Sequence, residues 1–146
     1  MSPYEIVAVV ISVISIIVSL ISLFKAWKAD KIAQGQIEIS IHQLISQTKK
    51  DFMEMSIVVS EELSADKKEV KEALKQALRT AQEQNLNAYE EACAKYLDGK
   101  VDKERFKKNY SVEIRQLVEQ YSEKYGATTP YKATIKVYNE WNNLEK

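Results

Sequence analysis

Residues 6–24 decide the first part of the fold, and they read IVAVVISVISIIVSLISLF without one charged side chain. At 1.5 Å per residue, a helix of this length reaches about 28 Å, close to the roughly 30 Å hydrocarbon core of a bilayer. Residues 1–5 contain no Lys or Arg and the run ends on bulky side chains, so it does not fit a cleaved signal peptide. The sequence therefore predicts a transmembrane anchor over residues 1–28, and residues 6–24 are called the span.

The residues that flank the span set its expected orientation. Three lysines follow it directly, and the positive-inside rule places such residues in the cytoplasm. One aromatic side chain stands at each end, where amphipathic rings favour the headgroup region. We expect a single pass with the N-terminus outside and the C-terminal domain in the cytoplasm. The flanking residues are Tyr4, Lys25, Trp27, Lys28 and Lys31.

Small side chains follow one face of the predicted span. Its four serines are three, four and three residues apart. At about 100° per residue they share an arc of roughly 80°. Alanines extend the series with heptad-like spacing, which is typical of helices that supercoil around one another. The small-residue row consists of Ala8, Ser12, Ser15, Ser19, Ser22, Ala26, Ala29 and Ala33, and polar or small residues continue it at Gln36, Ser40, Gln43 and Gln47.

Three interpretations of the small-residue row stay open. In the first, each hydroxyl bonds to its own helix and tolerates lipid. In the second, the row is a packing seam between copies, because small side chains let helix backbones approach closely in lipid. In the third, the row faces water and lines a pore in an oligomer. We expect a homo-oligomer with the row as its seam or pore lining, and no charged ring for a proton relay or selectivity filter.

The remaining sequence predicts helices. Residues 29–64 are expected to form a juxtamembrane helix that extends into a bundle, although residues 37–42 (IEISIH) also alternate as a strand would. Start and stop signals divide the rest of the chain into shorter helices. They are Asp66 with Glu69, Asp98 with Gly99, Asp102 with a staple between Val101 and Phe106, Gly126, and Thr129 with Pro130. The sequence predicts an all-α protein whose single transmembrane helix continues into a bundle of about four helices, with residues 65–146 as the cytoplasmic helical domain.

The residue types present do not predict a catalytic or metal-binding site. The chain has one His and one Cys, which is too few for a zinc site, and no glycine-rich phosphate loop. His42 is expected to be a solvated surface residue and Cys93 a small core residue. Glu90 and Glu91 are adjacent and are expected on a solvated face. We expect no enzyme activity, no cofactor and no metal.

The charge distribution limits the partners. The 21 basic and 21 acidic side chains cancel, whereas duplex DNA binders usually carry a strong basic excess. One local basic cluster is interpreted either as a solvated helix face or as a patch for a nucleotide, RNA or lipid headgroup. This cluster is Lys103, Arg105, Lys107 and Lys108. The expected partners are the lipid bilayer, further copies of the chain, and a protein or RNA partner of the cytoplasmic domain, but not duplex DNA.

Residues 86–102, LNAYEEACAKYLDGKVD, carry a resemblance together with Phe106, Tyr110 and Ile114. They resemble a family of small bacterial membrane-anchored helical proteins of unknown function, in which an LNxYE helix and a Tyr-x-x-Gly turn precede an aspartate-capped helix. The layout of one span and a small bundle is also similar to membrane accessory proteins of RNA-targeting CRISPR systems. Those proteins resemble HEPN-type bundles, and some form oligomeric membrane pores.

The resemblances imply a location and a function. A HEPN nuclease needs an Arg a few residues before a His, and no Arg precedes His42, so nuclease activity is not expected. The expected protein lies in the bacterial inner membrane, self-assembles through its N-terminal helix and perturbs or permeabilises the membrane, as an antiphage or CRISPR accessory effector. The alternative is a membrane tether or scaffold whose bundle docks a partner protein.

Overall fold

In a computed structural model, the chain is described over residues 3–62 and 68–142. Its elements are α1 (Pro3–Glu62), α2 (Lys68–Leu97), α3 (Lys103–Gln120), a 3₁₀ turn (Ser122–Tyr125) and α4 (Lys132–Trp141). No strand occurs in these ranges, and residues 37–42 are helical rather than extended. The predicted all-α class is therefore confirmed. Contacts divide the chain into two compact units, Met1–Gln36 and Ile37–Lys146, and the boundary falls inside the predicted juxtamembrane segment.

The described part of the first unit is a largely apolar helix with an uncovered surface. Every side chain from residue 10 to residue 33 is exposed. The most apolar window of α1 has a mean hydropathy of 2.2 and no buried share. Within the described residues, this one helix is long and apolar enough to cross a membrane. Uncovered apolar surface on this scale is typical of a segment that contacts lipid or other helices.

The second unit has a core to which all four helices contribute. Ile41 of α1, Leu86 of α2, Ile114 of α3 and Val137 of α4 are all buried in one cluster. Apolar residues recur every three or four positions on each helix, which places them on one face. On α3 this face is formed by Phe106, Tyr110, Ile114, Leu117 and Val118. Burial of these faces against one another is the main stabilising term for the bundle.

The structure of the turn between α2 and α3 confirms two predictions, the glycine at the end of α2 and the aspartate N-cap of α3. Gly99 adopts a φ of 68°, a left-handed conformation that glycine takes without a steric penalty. Asp102 is the N-cap of α3, and its carboxylate accepts the backbone N–H of Arg105 at 3.0 Å. Val101 and Phe106, the predicted hydrophobic staple, are both buried in the core. These local signals act within a few residues of each other.

The predicted end of α3 at Gly126 is wrong. The α-helix ends at Gln120, and the chain then tightens into the 3₁₀ turn. This turn directs Tyr125 into the core, where its ring centroid lies 5.6 Å from that of Tyr131. Gly126 instead ends the 3₁₀ turn. Tyr125 therefore reaches the core from a 3₁₀ turn and not from an α-helix.

The predicted start of α4 at Thr129 and Pro130 is also wrong. The helix begins at Lys132, and the Thr129 hydroxyl accepts the backbone N–H of Tyr131 at 3.0 Å in a local turn before it. The helix start instead takes a carboxylate cap from α2. The predicted start of α2 at Asp66 lies outside the described residues.

Candidate functional site

The serines of the small-residue row bond to their own helix. Each hydroxyl donates to the carbonyl four residues earlier, at 2.8 to 2.9 Å. This bond satisfies the only donor of the side chain and leaves lone pairs on its oxygen. The pairs are Ser12 with Ala8, Ser15 with Ile11, Ser19 with Ser15, and Ser22 with Val18. The side chains on this face are therefore small, and their hydroxyl donors are satisfied. Such a face suits both contact with lipid and close contact with another helix.

The small-residue row is exposed throughout the first unit, and its continuation is exposed in the second. In the bundle, Ser40, Gln43 and Gln47 are exposed. Ile41 and Ile45 of the same helix are only 5% and 3% exposed. At 100° per residue these two sets point about 150° apart. The core therefore occupies one face of α1, and the continuation of the row occupies a face that the bundle leaves uncovered.

The residues predicted to flank the bilayer are exposed as well. Tyr4 and Trp27 are 87% and 59% exposed, and the Phe24 ring centroid lies 6.1 Å from that of Trp27. The three lysines after the span are exposed on the same helix, at Lys25, Lys28 and Lys31. These aromatic and cationic side chains are available to headgroups on any membrane that α1 crosses.

The four cations of the predicted basic cluster have different surroundings. The Arg105 guanidinium makes a forked ion pair with the Glu38 carboxylate, at 2.8 Å from Nε and 2.9 Å from Nη2. Lys103 lies 5.0 Å above the Tyr96 ring in a cation–π contact. Lys107 lines a groove with other residues, and Lys108 is exposed. Two of the four cations are thus engaged within the protein.

Glu38 of α1 also completes the start of α3. Its Oε1 accepts the backbone N–H of Asp102 at 2.8 Å, the role that a capping-box glutamate normally fills from within the helix. Burial raises the pKa of the Glu38 carboxyl. The hydrogen bonds from Arg105 and Asp102 and the charge of Arg105 outweigh this, so the net pKa is lowered. Glu38 thereby holds α1 against the first turn of α3.

Glu90 of α2 performs the same task for α4, and sequence reasoning missed it. Its carboxylate accepts the backbone N–H groups of Ala133 and Thr134 and the Thr134 hydroxyl, all at 2.8 Å. A negative charge at a helix N-terminus also interacts favourably with the helix dipole. The sequence signal that could have identified this role is spacing. Glu90 stands four residues after the core residue Leu86, so it lies on the same face of α2. The predicted solvated role is wrong for Glu90, whereas Glu91 is exposed as expected.

An open groove of about 380 Å³ lies between the bundle part of α1 and α3. The Tyr110 hydroxyl is 3.4 Å from Nδ1 of His42, a long contact, and Lys49 is 3.1 Å from Glu113. The other Glu113 oxygen accepts the Tyr89 hydroxyl at 2.7 Å. The groove is lined by His42, Ile45, Ser46, Lys49, Asn109, Tyr110 and Glu113. Such a mixed surface can accept polar groups of a partner.

Cys93 has the inert role that its position predicts. The side chain is fully buried, and burial raises the pKa of its thiol to about 12. A thiol with such a pKa does not form the reactive thiolate at neutral pH.

Within the described ranges, no group of three or more His, Cys, Asp or Glu side chains is placed to hold a metal ion. No protein-family model, curated protein or solved structure matches this chain.

Proposed function

We propose that this chain is a non-enzymatic, single-pass protein of the bacterial inner membrane that self-assembles through α1 and permeabilises the membrane, in antiphage defence. One observation carries the proposal. The small-residue row is exposed in the first unit, and its continuation is exposed in the second, while the bundle packs on another face of α1. An assembly seam needs this arrangement, because the bundles must not occupy the face on which copies meet.

The physics of helix association in lipid explains why small residues matter there. Lipid tails are as apolar as leucine, so burial of apolar surface does not drive helices together in a bilayer. Close backbone approach and weak interhelical hydrogen bonds do, and the latter average about 0.6 kcal/mol each. A single serine would therefore contribute little. A row of eight small side chains along one face can contribute along the whole interface.

The expected topology follows from the lysines after the span. Lys25, Lys28 and Lys31 favour the cytoplasmic side, so the bundle faces the cytoplasm and the N-terminus lies outside. A C-terminal alkaline phosphatase fusion is then inactive, and a C-terminal fluorescent protein fusion is bright. An active phosphatase would overturn the topology without affecting the assembly proposal.

Assembly is tested by changing the row and a matched face. We expect replacement of Ser12, Ser15, Ser19 and Ser22 by Leu to reduce the oligomer measured by light scattering in nonionic detergent. The control replaces four apolar residues of the other faces by Leu, at Ile11, Ile14, Val18 and Ile21. This control changes neither polarity nor bulk substantially, and the oligomer is expected to persist. Equal oligomer size in the two variants would refute the seam.

Permeabilisation is tested in planar bilayers with the purified full-length protein. If the row lines water, weak selectivity between cations and anions is expected, because the span has no charged ring. Ser15→Phe with Ser19→Phe then blocks conductance while oligomers survive. If the row is a dry seam, the same substitutions dissociate the oligomer. Absence of conductance in the unmodified oligomer, with and without phage-infected cell extract, would overturn permeabilisation.

A second candidate function, a membrane tether, is favoured by the open groove between α1 and α3. A docking bundle needs an exposed surface and an anchor, but no particular face on the anchor. Replacing residues 6–24 by an unrelated apolar span of equal length separates the two functions. A tether keeps its activity in phage restriction after this exchange. A protein that assembles through the small-residue row loses both the oligomer and the activity.

A further inference from the structure

A second groove, of about 230 Å³, lies between α3 and the end of α4. Its lining residues are Lys107, Ser111, Val112, Arg115, Trp141 and Asn142. Lys107, Ser111 and Arg115 are four residues apart in turn, so they share one side of α3. At 1.5 Å per residue, the Cα atoms of Lys107 and Arg115 are about 12 Å apart, with Ser111 midway. All three side chains line the same groove.

The two cations that line this groove differ from Arg105 in their surroundings. Among the described residues, Lys107 and Arg115 form no ion pair, in contrast to Arg105, which is bound to Glu38. Two cations on one side of a helix repel each other modestly, and an anion bound between them reduces that repulsion. The sequence cluster around residues 103–108 did not include Arg115, which joins Lys107 only because α3 is helical.

The wall contributed by α4 is fixed in position. The Trp141 indole N–H donates to the Tyr96 hydroxyl at 3.0 Å, and the two rings meet edge to face with centroids 5.3 Å apart. Its ring is therefore held by the core while part of it borders the groove. Val112, 54% exposed, adds apolar surface on the opposite side. The groove combines two cations and a hydroxyl with a rigid aromatic wall.

We propose that this groove binds the phosphate group of a small phosphate ester, centred over Ser111 between Lys107 and Arg115. A guanidinium offers a planar fork of donors to phosphate oxygens, an ammonium adds charge, and a hydroxyl donates one further bond. The volume admits the phosphate and part of the group it esterifies, and the Trp141 ring offers a surface for a planar or apolar portion. A mononucleotide and a phospholipid headgroup share this chemistry. The site is independent of the assembly face on α1.

The test uses full-length protein in nonionic detergent, with AMP, inorganic phosphate and adenosine as probes in isothermal titration calorimetry. Vesicles of phosphatidylglycerol, with protein reconstituted from detergent, form the second arm, read by Trp fluorescence. We expect AMP and phosphate to bind and adenosine not to bind if the source is a soluble ester. Binding to anionic vesicles alone assigns the site to lipid. No binding of any phosphate-bearing probe overturns the proposal, as does equal binding of AMP and adenosine.

Variants separate the site from general charge. Lys107→Gln with Arg115→Gln is expected to lower the affinity about tenfold or more, equivalent to the loss of at least one charge-assisted contact. Lys108→Gln with Lys124→Gln removes the same charge outside the groove and leaves the affinity within about twofold. All four side chains are exposed, so both variants are expected to melt like the unmodified protein. Equal losses in the two variants would overturn the site.

Discussion

In the first unit, serine hydroxyls bond to carbonyls four residues away in their own helix. In the second, carboxylates accept backbone N–H groups at helix starts that lie 43 to 64 residues away. These local bonds satisfy the hydroxyls but carry no information about what packs against the helix. Long-range bonds determine which helix end meets which neighbour. Hydrogen bonds between its own helices thus help to fix the arrangement of the bundle. The serine hydrogen bonds of the span stay within α1, so they do not select what packs against the span.

The largest expected effect concerns the cap on α4. Glu90→Ala removes the acceptor of three hydrogen bonds, and Thr134 is fully buried, so water cannot replace them without opening the helix start. Hydrogen bonds to charged groups contribute roughly 1.5–3 kcal/mol each and are not additive. We expect a loss of about 3 kcal/mol in the free energy of unfolding. Urea unfolding of the full-length protein in detergent, followed by near-ultraviolet circular dichroism, measures it.

The neighbouring residue provides the control. Glu91→Ala changes the same charge one position away, on an exposed side chain, and is expected to alter stability by less than about 0.5 kcal/mol. Similar losses for the two variants would mean that charge, rather than the cap, stabilises α4.

These caps also explain how much of the fold was predictable. Asp102 and Gly99 act on residues next to them, and their signals were read correctly from the sequence. Glu38 and Glu90 act only after the chain has brought distant helices together, and each looks like an ordinary surface carboxylate in isolation. The start of α4 was placed wrongly for that reason, because the cap lies on α2. Tertiary contacts override local signals wherever the decisive partner is remote.

The candidate sites divide in the same way. The small-residue row is a property of spacing along one helix, so the sequence alone identifies its members. The second groove joins α3 with Trp141, and Arg115 lies outside the predicted basic cluster. Arg105 belonged to that cluster but is bound to Glu38. Proximity along the chain was therefore a good guide to the face of α1 and a poor guide to the grouping of cations.

A smaller effect is expected from pH. Because the pKa of Glu38 is lowered in the folded state, its contribution to stability is present above its ordinary pKa and is lost as pH falls through the lowered value. Glu38→Gln removes that contribution, so the variant loses less stability than the unmodified protein on acidification. The loss is smaller than for Glu90, because Arg105 stays solvated and water competes for the pair.

Acid titration of unfolding for both proteins, between neutral pH and the onset of acid unfolding, measures the difference. Glu119→Gln serves as the control, since Glu119 is exposed on the same helix as Arg105. Parallel pH profiles for Glu38→Gln and the unmodified protein would show that protonation of Glu38 is not coupled to unfolding.

Alanine substitutions at two glycines are each expected to change stability by about 1 kcal/mol, in opposite directions. Gly99→Ala forces a side chain into the left-handed region and is expected to destabilise the bundle by about 1 kcal/mol. Gly35→Ala lies inside α1 with open space around the added methyl, so helix propensity improves by about 1 kcal/mol. Hydrogen exchange around residue 35 is then slowed about fivefold, while urea unfolding of the Gly99 variant shifts to lower denaturant. The same sign for both variants would contradict this account.

The smallest expected effect distinguishes size from hydrogen bonding in the small-residue row. Replacing Ser12, Ser15, Ser19 and Ser22 by Ala keeps the side chains small and removes hydroxyls that already bond within their own helix. If close packing holds the assembly, the quadruple variant retains its oligomer. If the oxygens also accept bonds from neighbouring copies, association weakens by up to about 0.6 kcal/mol per serine. Sedimentation equilibrium in density-matched detergent resolves the two outcomes. Dissociation as complete as that of the Leu variant would show that the hydroxyls, rather than the small size of the row, bring the helices together, and the span would then share with the bundle its dependence on polar contacts between helices.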